Sequence, residues 1–244
     1  MPNRLQTDMW PFTRRPEPAP QGNPLPALLD LSHARSVLVI APHPDDETLG
    51  CGGTLALLAK TSQVHVLLVT NGDGGGGLPE ETSAVRKQEM AAALGVLGIR
   101  SPVRQMDEPD GRFVDSARFR AALAQAIRET SPNWVLLPWL LDSHSDHARI
   151  SRASSELLQT TDVETLAYYE TWTPLPATHV VDITSTIEQK KAALACHETA
   201  LRHGNYLEAM EGLNAYRALY LPRDGRRHWA EAYAVTGARD NRFL

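Results

Sequence analysis

The chain has 244 residues, 42% of them apolar and 22% charged, and a formal net charge of −5. That size suits one large domain with a sizeable core, and with no block of Lys or Arg the composition excludes a nucleic-acid groove or an anionic-membrane patch. Two cysteines, Cys51 and Cys196, cannot build a disulfide framework, and with no visible export signal they fit a cytoplasmic protein.

Residues 1–34 hold Pro2, Pro11, Pro16, Pro18, Pro20, Pro24 and Pro26 and read as a surface tail without regular structure. Trp10 and Phe12 within it are candidate docking points on the body or on a partner subunit, which suggests a homo-oligomer. Regular structure is expected from Ser36. SVLVIAP is a short, continuous apolar run, as in a parallel strand buried on both faces. After a Gly-rich turn, helix is predicted over Thr54–Lys60, strand over Val64–Thr70, and helix over Pro79–Gly98, where Met90, Leu94 and Leu97 recur at helical spacing. A short strand at Val103–Met106, a helix at Ser116–Thr130 and a buried strand at Trp134–Pro138 come next. Strands at Leu166–Thr171 and His179–Asp182, a helix at Glu188–Arg202 and a last strand at Trp229–Val235 complete the reading. The longest apolar runs, Ser36–Ala41, Val64–Val69 and Trp134–Leu141, fall far short of the roughly 20 residues of a membrane span. The alternation predicts an α/β fold: a Rossmann-like, doubly wound, mostly parallel sheet with helices on both faces, in a single domain over residues 35–244.

Ligand sites in such sheets lie beyond the carboxyl ends of the strands, where both chemically loaded segments fall. The first is Pro42-His43-Pro44-Asp45-Asp46-Glu47, directly after the first strand. An imidazole and three carboxylates in five residues repel one another unless a cation relieves them, and neutral His with ionised Asp suits zinc. The second is Asp142-Ser143-His144-Ser145-Asp146-His147, two histidines interleaved with carboxylates. Either Asp146 or Asp142 can take an imidazole N–H and set its tautomer. Each segment alone could be a polar surface loop, but accidents would not be expected to meet at one sheet edge.

Pro-His-Pro-Asp-Asp-Glu after the first strand, with the later His144-x-Asp146-His147, resembles the LmbE/PIG-L family of zinc-dependent deacetylases. The resemblance takes in Leu49-Gly50-x-Gly52-Gly53-Thr54, Val69-Thr70-x-Gly72, and Arg86-x-x-Glu89 with Leu97-Gly98, so it spans roughly residues 36–155 and, more loosely, a later helix bearing His197. It implies an enzyme that hydrolyses an N-acetyl group from an amino sugar or small glycoconjugate, with one zinc per chain and iron(II) as the other candidate metal. His43, Asp46 and His147 match the family's metal ligands and Asp45 its general base. His144 matches a residue that stabilises the tetrahedral intermediate or protonates the leaving amine, with Asp146 orienting it and raising its pKa. Spacing alone would also allow His144 as a fourth ligand.

Other residues keep two readings. His197 either faces the site, as its family counterpart does, or packs. Arg86 either anchors substrate or pairs with Glu89. Tyr168, Tyr169 and Trp172 either stack on a sugar ring or belong to the core, and Cys51 reads as packing. Gly72–Gly77 satisfies G-x-G-x-x-G only because it is a run of glycines, and it comes after the second strand rather than the first. It reads as a rim loop near the site, and a dinucleotide-dependent enzyme is disfavoured.

Overall fold

Alternation of side chains along a strand, combined with apolar residues at every position, requires cover on both faces of the sheet. The computed structural model, which describes residues 25–74, 79 and 81–244, provides it. In strand β2 (Ser36–Ala41), Val37, Val39 and Ala41 join one buried cluster and Leu38 and Ile40 the other. On the first face, Leu55 and Leu58 of α1 (Asp46–Leu58) pack with Met90 and Leu94 of α2 (Thr82–Val96) and Ile187 and Leu194 of α5 (Ile187–Leu194). On the second face, Phe119 and Leu123 of α3 (Ala117–Thr130) pack with Ile150 and Leu158 of α4 (Ser145–Leu158).

The remaining strands are β1 (Ala27–Leu28), β3 (Gln63–Thr70), β4 (Arg104–Glu108), β5 (Trp134–Pro138), β6 (Thr165–Tyr169), β7 (His179–Asp182) and β8 (Ala230–Gly237). They form one sheet in the order β1-β7-β8-β6-β5-β2-β3-β4. Every neighbouring pair is parallel except the two that β8 makes. From β2 the chain adds β3 and β4 on one side and then crosses to place β5 on the other. The crevice between the ends of β2 and β5 is therefore the topological switch point, and both motifs open onto it. Among the described residues no helix is long and apolar enough to cross a membrane.

Several elements differ from expectation, among them helix α4, which has no predicted counterpart. Ala27 and Leu28, inside the proline-rich stretch, pair with His179 and Val180 as a two-residue edge strand, so ordered structure starts before Ser36; Trp10 and Phe12 lie outside the described residues, as do Gly75–Gly77 of the glycine loop. Helix α1 begins at Asp46 rather than Thr54, with a non-helical residue at Cys51 (φ −142°, ψ 16°). Its glycines, which read as breakers, permit close packing instead: a Cβ on Gly50 would stand 2.2 Å from the Tyr169 ring, and one on Gly53 would stand 2.8 Å from Ile183. The helix expected over Glu188–Arg202 is split into α5 and a short α6 (Glu198–Leu201), with His197 between them, and α7 (Tyr206–Arg217) comes after it unexpectedly.

Candidate active site

The turn after β2 holds its shape through backbone bonds: the Asp45 carbonyl accepts from Thr48 N and Leu49 N, and His43 N donates to Asp46 Oδ2 at 2.9 Å. Asp45 itself sits at φ 145°, a region L-residues other than glycine avoid, so its placement is imposed by its surroundings. The turn after β5 ends in α4, whose first turn carries Asp146 and His147 and whose N-cap is His144.

Three atoms from these two turns meet. His43 Nδ1 lies 3.1 Å from His147 Nε2, Asp46 Oδ2 lies 3.2 Å from the first, and the same oxygen lies 3.0 Å from the second. The opposite nitrogen of each ring faces acceptors. His43 Nε2 is 3.1 Å from Asp110 Oδ1 and 3.3 Å from Asp146 Oδ2. His147 Nδ1 is 3.0 Å from Thr171 Oγ1 and 3.6 Å from Asp142 Oδ1. With each ring's proton on that outer nitrogen, two imidazole lone pairs and a carboxylate oxygen point at one another, an arrangement that a bound cation, or in its absence an added proton, relieves. Their separations approach the roughly 3.3 Å edge of a tetrahedron with metal–ligand bonds of about 2.0–2.1 Å. The residues fit a divalent metal ion.

The local charges say the same. Burial opposes protonation of His147, but the Asp46 charge and hydrogen bonds to Asp142 and Asp46 outweigh it and raise its pKa to about 9. His43 is likewise raised, against burial, by Asp110, Asp146 and Asp46. Asp46 is held low, against burial, by the two histidines. Asp45 behaves differently: burial, then the Asp46 charge, lift it to about 6, with Arg86 offsetting part of the rise. A buried carboxyl titrating near neutrality beside a cation site is suited to moving a proton.

The structure brings His43, Asp45, Asp46, His144 and Arg86 into the wall of one cavity of about 320 Å³. His147 meets it through the ligand triangle. Trp172 is 52% exposed at the rim, in edge contact with Tyr206, whereas Tyr168 and Tyr169 are fully buried core. Buried Cys51 donates to the Glu47 carbonyl and packs, as read.

Two expectations need correction, and one of the two readings of Arg86 falls. The Asp146 carboxylate does not orient His144: it lies on His43 Nε2 and accepts from Gly111 N and Phe113 N, while only its backbone N–H reaches His144 Nδ1, at 3.3 Å. Accordingly His144 is lowered, by burial and then by the neighbouring His147 and His43, rather than raised. His197 does not wall the cavity. It is buried behind α1, with Nε2 3.2 Å from Thr48 Oγ1 and 3.6 Å from Glu47 Oε1. Arg86 does not pair with Glu89, which instead accepts from Thr199 N and Oγ1. Its guanidinium spans Gly72 O at 2.9 Å and Asp45 Oδ2 at 3.3 Å, so it holds the Asp45 turn against the end of β3.

Asp110 and His203 also wall the cavity and were not anticipated. Asp110 had a usable signal, since Pro109-Asp110-Gly111 comes directly after strand β4 at the same sheet edge. His203 had none, because it stands after a helix break that the apolar periodicity did not reveal.

Residues 38–158, which contain every ligand-triangle residue, match the family profile described as PIG-L, GlcNAc-PI de-N-acetylase. The chain belongs to the PIG-L family. A diacetylchitobiose deacetylase from Thermococcus kodakarensis is 29% identical over 190 residues, covering 68% of this chain and 70% of that one. A conserved protein from Thermus thermophilus, known as a crystal structure, superposes with a TM-score of 0.70 at 32% identity, covering 82% of this chain and 94% of that one. The 4-carboxy-2-hydroxymuconate hydratase GalB of Pseudomonas putida shares the fold at 22% identity and a TM-score of 0.73, over 83% of this chain and 96% of its own. A hydratase and deacetylases thus share this architecture, so the fold does not by itself define a reaction.

Proposed function

We propose that this chain is a metal-dependent N-deacetylase acting on an N-acetylated amino sugar or related glycoconjugate, with zinc as its metal. The observation that carries this reading is the triangle of His43 Nδ1, Asp46 Oδ2 and His147 Nε2, with Asp45 beside it on the same cavity. A divalent cation held there supplies Lewis-acid activation of water and of the amide carbonyl. Asp45 takes the proton of the attacking water, and its pKa near 6 lets it pass that proton to the departing amine nitrogen. His144, neutral because burial and its histidine neighbours lower it, accepts the Asp146 N–H at Nδ1. Its proton therefore sits on Nε2, available to the carbonyl oxygen as negative charge develops there.

Asp110 and Arg86 flank the triangle on the β3–β4 side, where a carboxylate and a guanidinium suit the hydroxyls of a sugar. Metal content and acetate release, measured together, test how these parts work as one site. The protein should hold about one ion per chain and release acetate from N-acetylglucosamine-type substrates. His43→Ala, Asp46→Ala and His147→Ala should each lose metal, whereas His144→Ala should keep it and lose turnover. Full metal retention in all three ligand variants, or no acetate from the loaded enzyme, would remove the reading.

A further inference from the structure

A second cavity, of about 580 Å³, adjoins the first and shares Leu49, Trp172, His203 and Tyr206 with it. Beyond that common wall it is lined largely by apolar groups, with Ala209, Met210 and Leu213 from one side of α7 and Pro174 from the loop after β6. The α7 and Pro174 residues lie outside the span that matches the family profile. Its size falls within the range of cavities that bind small molecules, and nothing in the proposed deacetylation chemistry uses it.

The two flanks of the ligand triangle are chemically opposite. On the β3–β4 side stand Gly74, Arg86, Asp110 and Gly111; on the β6–α7 side stand Leu49, Trp172 and Tyr206, with the apolar cavity behind them. An amide is planar and trans, so its carbon and nitrogen substituents leave the C–N bond in opposite directions. With the carbonyl at the triangle and the hydroxylated ring on the polar flank, the acyl substituent is directed toward Leu49 and the apolar cavity.

We propose that this cavity holds the acyl chain of the substrate, so that the enzyme removes N-acyl groups longer than acetyl; the inference rests on the deacylase reading above. In the reaction, water adds across the amide: its oxygen bonds to the acyl carbon, the C–N bond breaks, and the nitrogen leaves with a proton as the amine. The products are a medium-chain carboxylate and a free amino sugar.

The test uses the metal-loaded full chain and a series of N-acyl glucosamines from acetyl to octanoyl. Each methylene buried favours the longer chain by about fourfold at most, so kcat/KM should rise on the order of tenfold or more across the series. Leu213→Trp and, separately, Ala209→Trp fill the cavity and should lower the octanoyl-to-acetyl ratio; two sites guard against one variant failing to fold. A flat or falling series overturns the proposal. So does a gain found with the octyl glycoside of N-acetylglucosamine instead of with the octanoyl amide, because the chain would then enter from the sugar side. Calorimetric binding of octanoate provides a readout independent of turnover. Binding that Leu213→Trp weakens supports the acyl cavity even if no amide is hydrolysed, in which case the deacylase reading alone fails; no binding of octanoate overturns the cavity assignment.

Discussion

Replacing Lys190 with Met should be among the most destabilising single changes in the chain, although Lys190 itself lines neither cavity. Helix α1 is interrupted at Cys51, and the interruption leaves polar backbone groups on both sides of it. Glu231 accepts from Gly53 N and Thr54 N, both at 2.8 Å, at the start of the second segment. Lys190 donates to Leu49 O at 2.8 Å, at the end of the first, and to Asn214 Oδ1 at 3.0 Å. The two ions meet at 2.6 Å with both side chains fully buried, and Tyr233 adds a hydrogen bond to Glu231. Removing the ammonium leaves a buried carboxylate without its counter-ion, which costs about 3–5 kcal/mol. At about 2–4 °C per kcal/mol for a domain of this size, Lys190→Met should lower Tm by roughly 6–20 °C. Lys190→Met combined with Glu231→Gln should recover part of the loss, since no charge is then stranded. Thermal unfolding followed by circular dichroism in the presence of a chelator separates this effect from stabilisation by bound metal. A single-variant loss below about 3 °C would refute the assignment of the pair as the brace of α1.

Asp45→Asn should retain metal and fold while losing turnover on the order of 10²-fold or more. The wild type should lose activity at or below about pH 6 as Asp45 protonates, a bound cation pulling that limb lower, and the variant should lack the limb; near-normal turnover would move the base elsewhere. Asp146→Asn should act on His43 rather than on His144, weakening metal retention on the order of 10–100-fold, as loss of a ligand's hydrogen-bonding partner does. A shift of the basic pH limb with metal affinity intact would restore the Asp146–His144 pairing. Because His147 titrates near 9 and His43 is raised in the metal-free site, protons occupy the site at pH 7. Metal binding should therefore release about one proton or more, and affinity should weaken as pH falls below 9. Calorimetry in buffers of different ionisation enthalpy measures this release, and none at pH 7 would contradict the charge arrangement.

The central sheet was legible because its strands announce themselves twice, as apolar runs and by the turn residues at their carboxyl ends. Trp134–Pro138 and His179–Asp182 fall on their expected bounds, and the turn after β2 holds His43, Asp45 and Asp46 where the motif places them. Sequence spacing could not resolve the pairing of side chains within a motif. Asp142 and Asp146 each stand two positions along the chain from His144, yet α4 starts between them. Asp142 remains outside the helix against Thr171 and His147, and Asp146 turns inward to His43, a partner 103 positions away. The break in α1 was hidden for a related reason. Gly50, Gly52 and Gly53 read as a loop, while the packing that requires two of them comes from Tyr169 and Ile183, far along the chain.

The order of the strands also separates chemistry from recognition. His43 and Asp46 come after β2 and His147 after β5, and these strands are neighbours only because the chain reverses its direction of growth across the sheet after β4. The triangle proposed to hold the metal therefore belongs to the middle of the sheet, fixed by the backbone pairing of β2 with β5. The walls to either side come from other elements: Gly74, Asp110 and Gly111 from the loops after β3 and β4, and Trp172, His203 and Tyr206 from the segments after β6 and α6. A substitution at Trp172 or Leu213 changes a cavity wall that the proposed amide substrate would meet without altering His43 Nδ1, Asp46 Oδ2 or His147 Nε2. On the acyl-cavity proposal, the accepted chain length is then changed from the β6–α7 side while the position of bond cleavage stays where β2 and β5 put it.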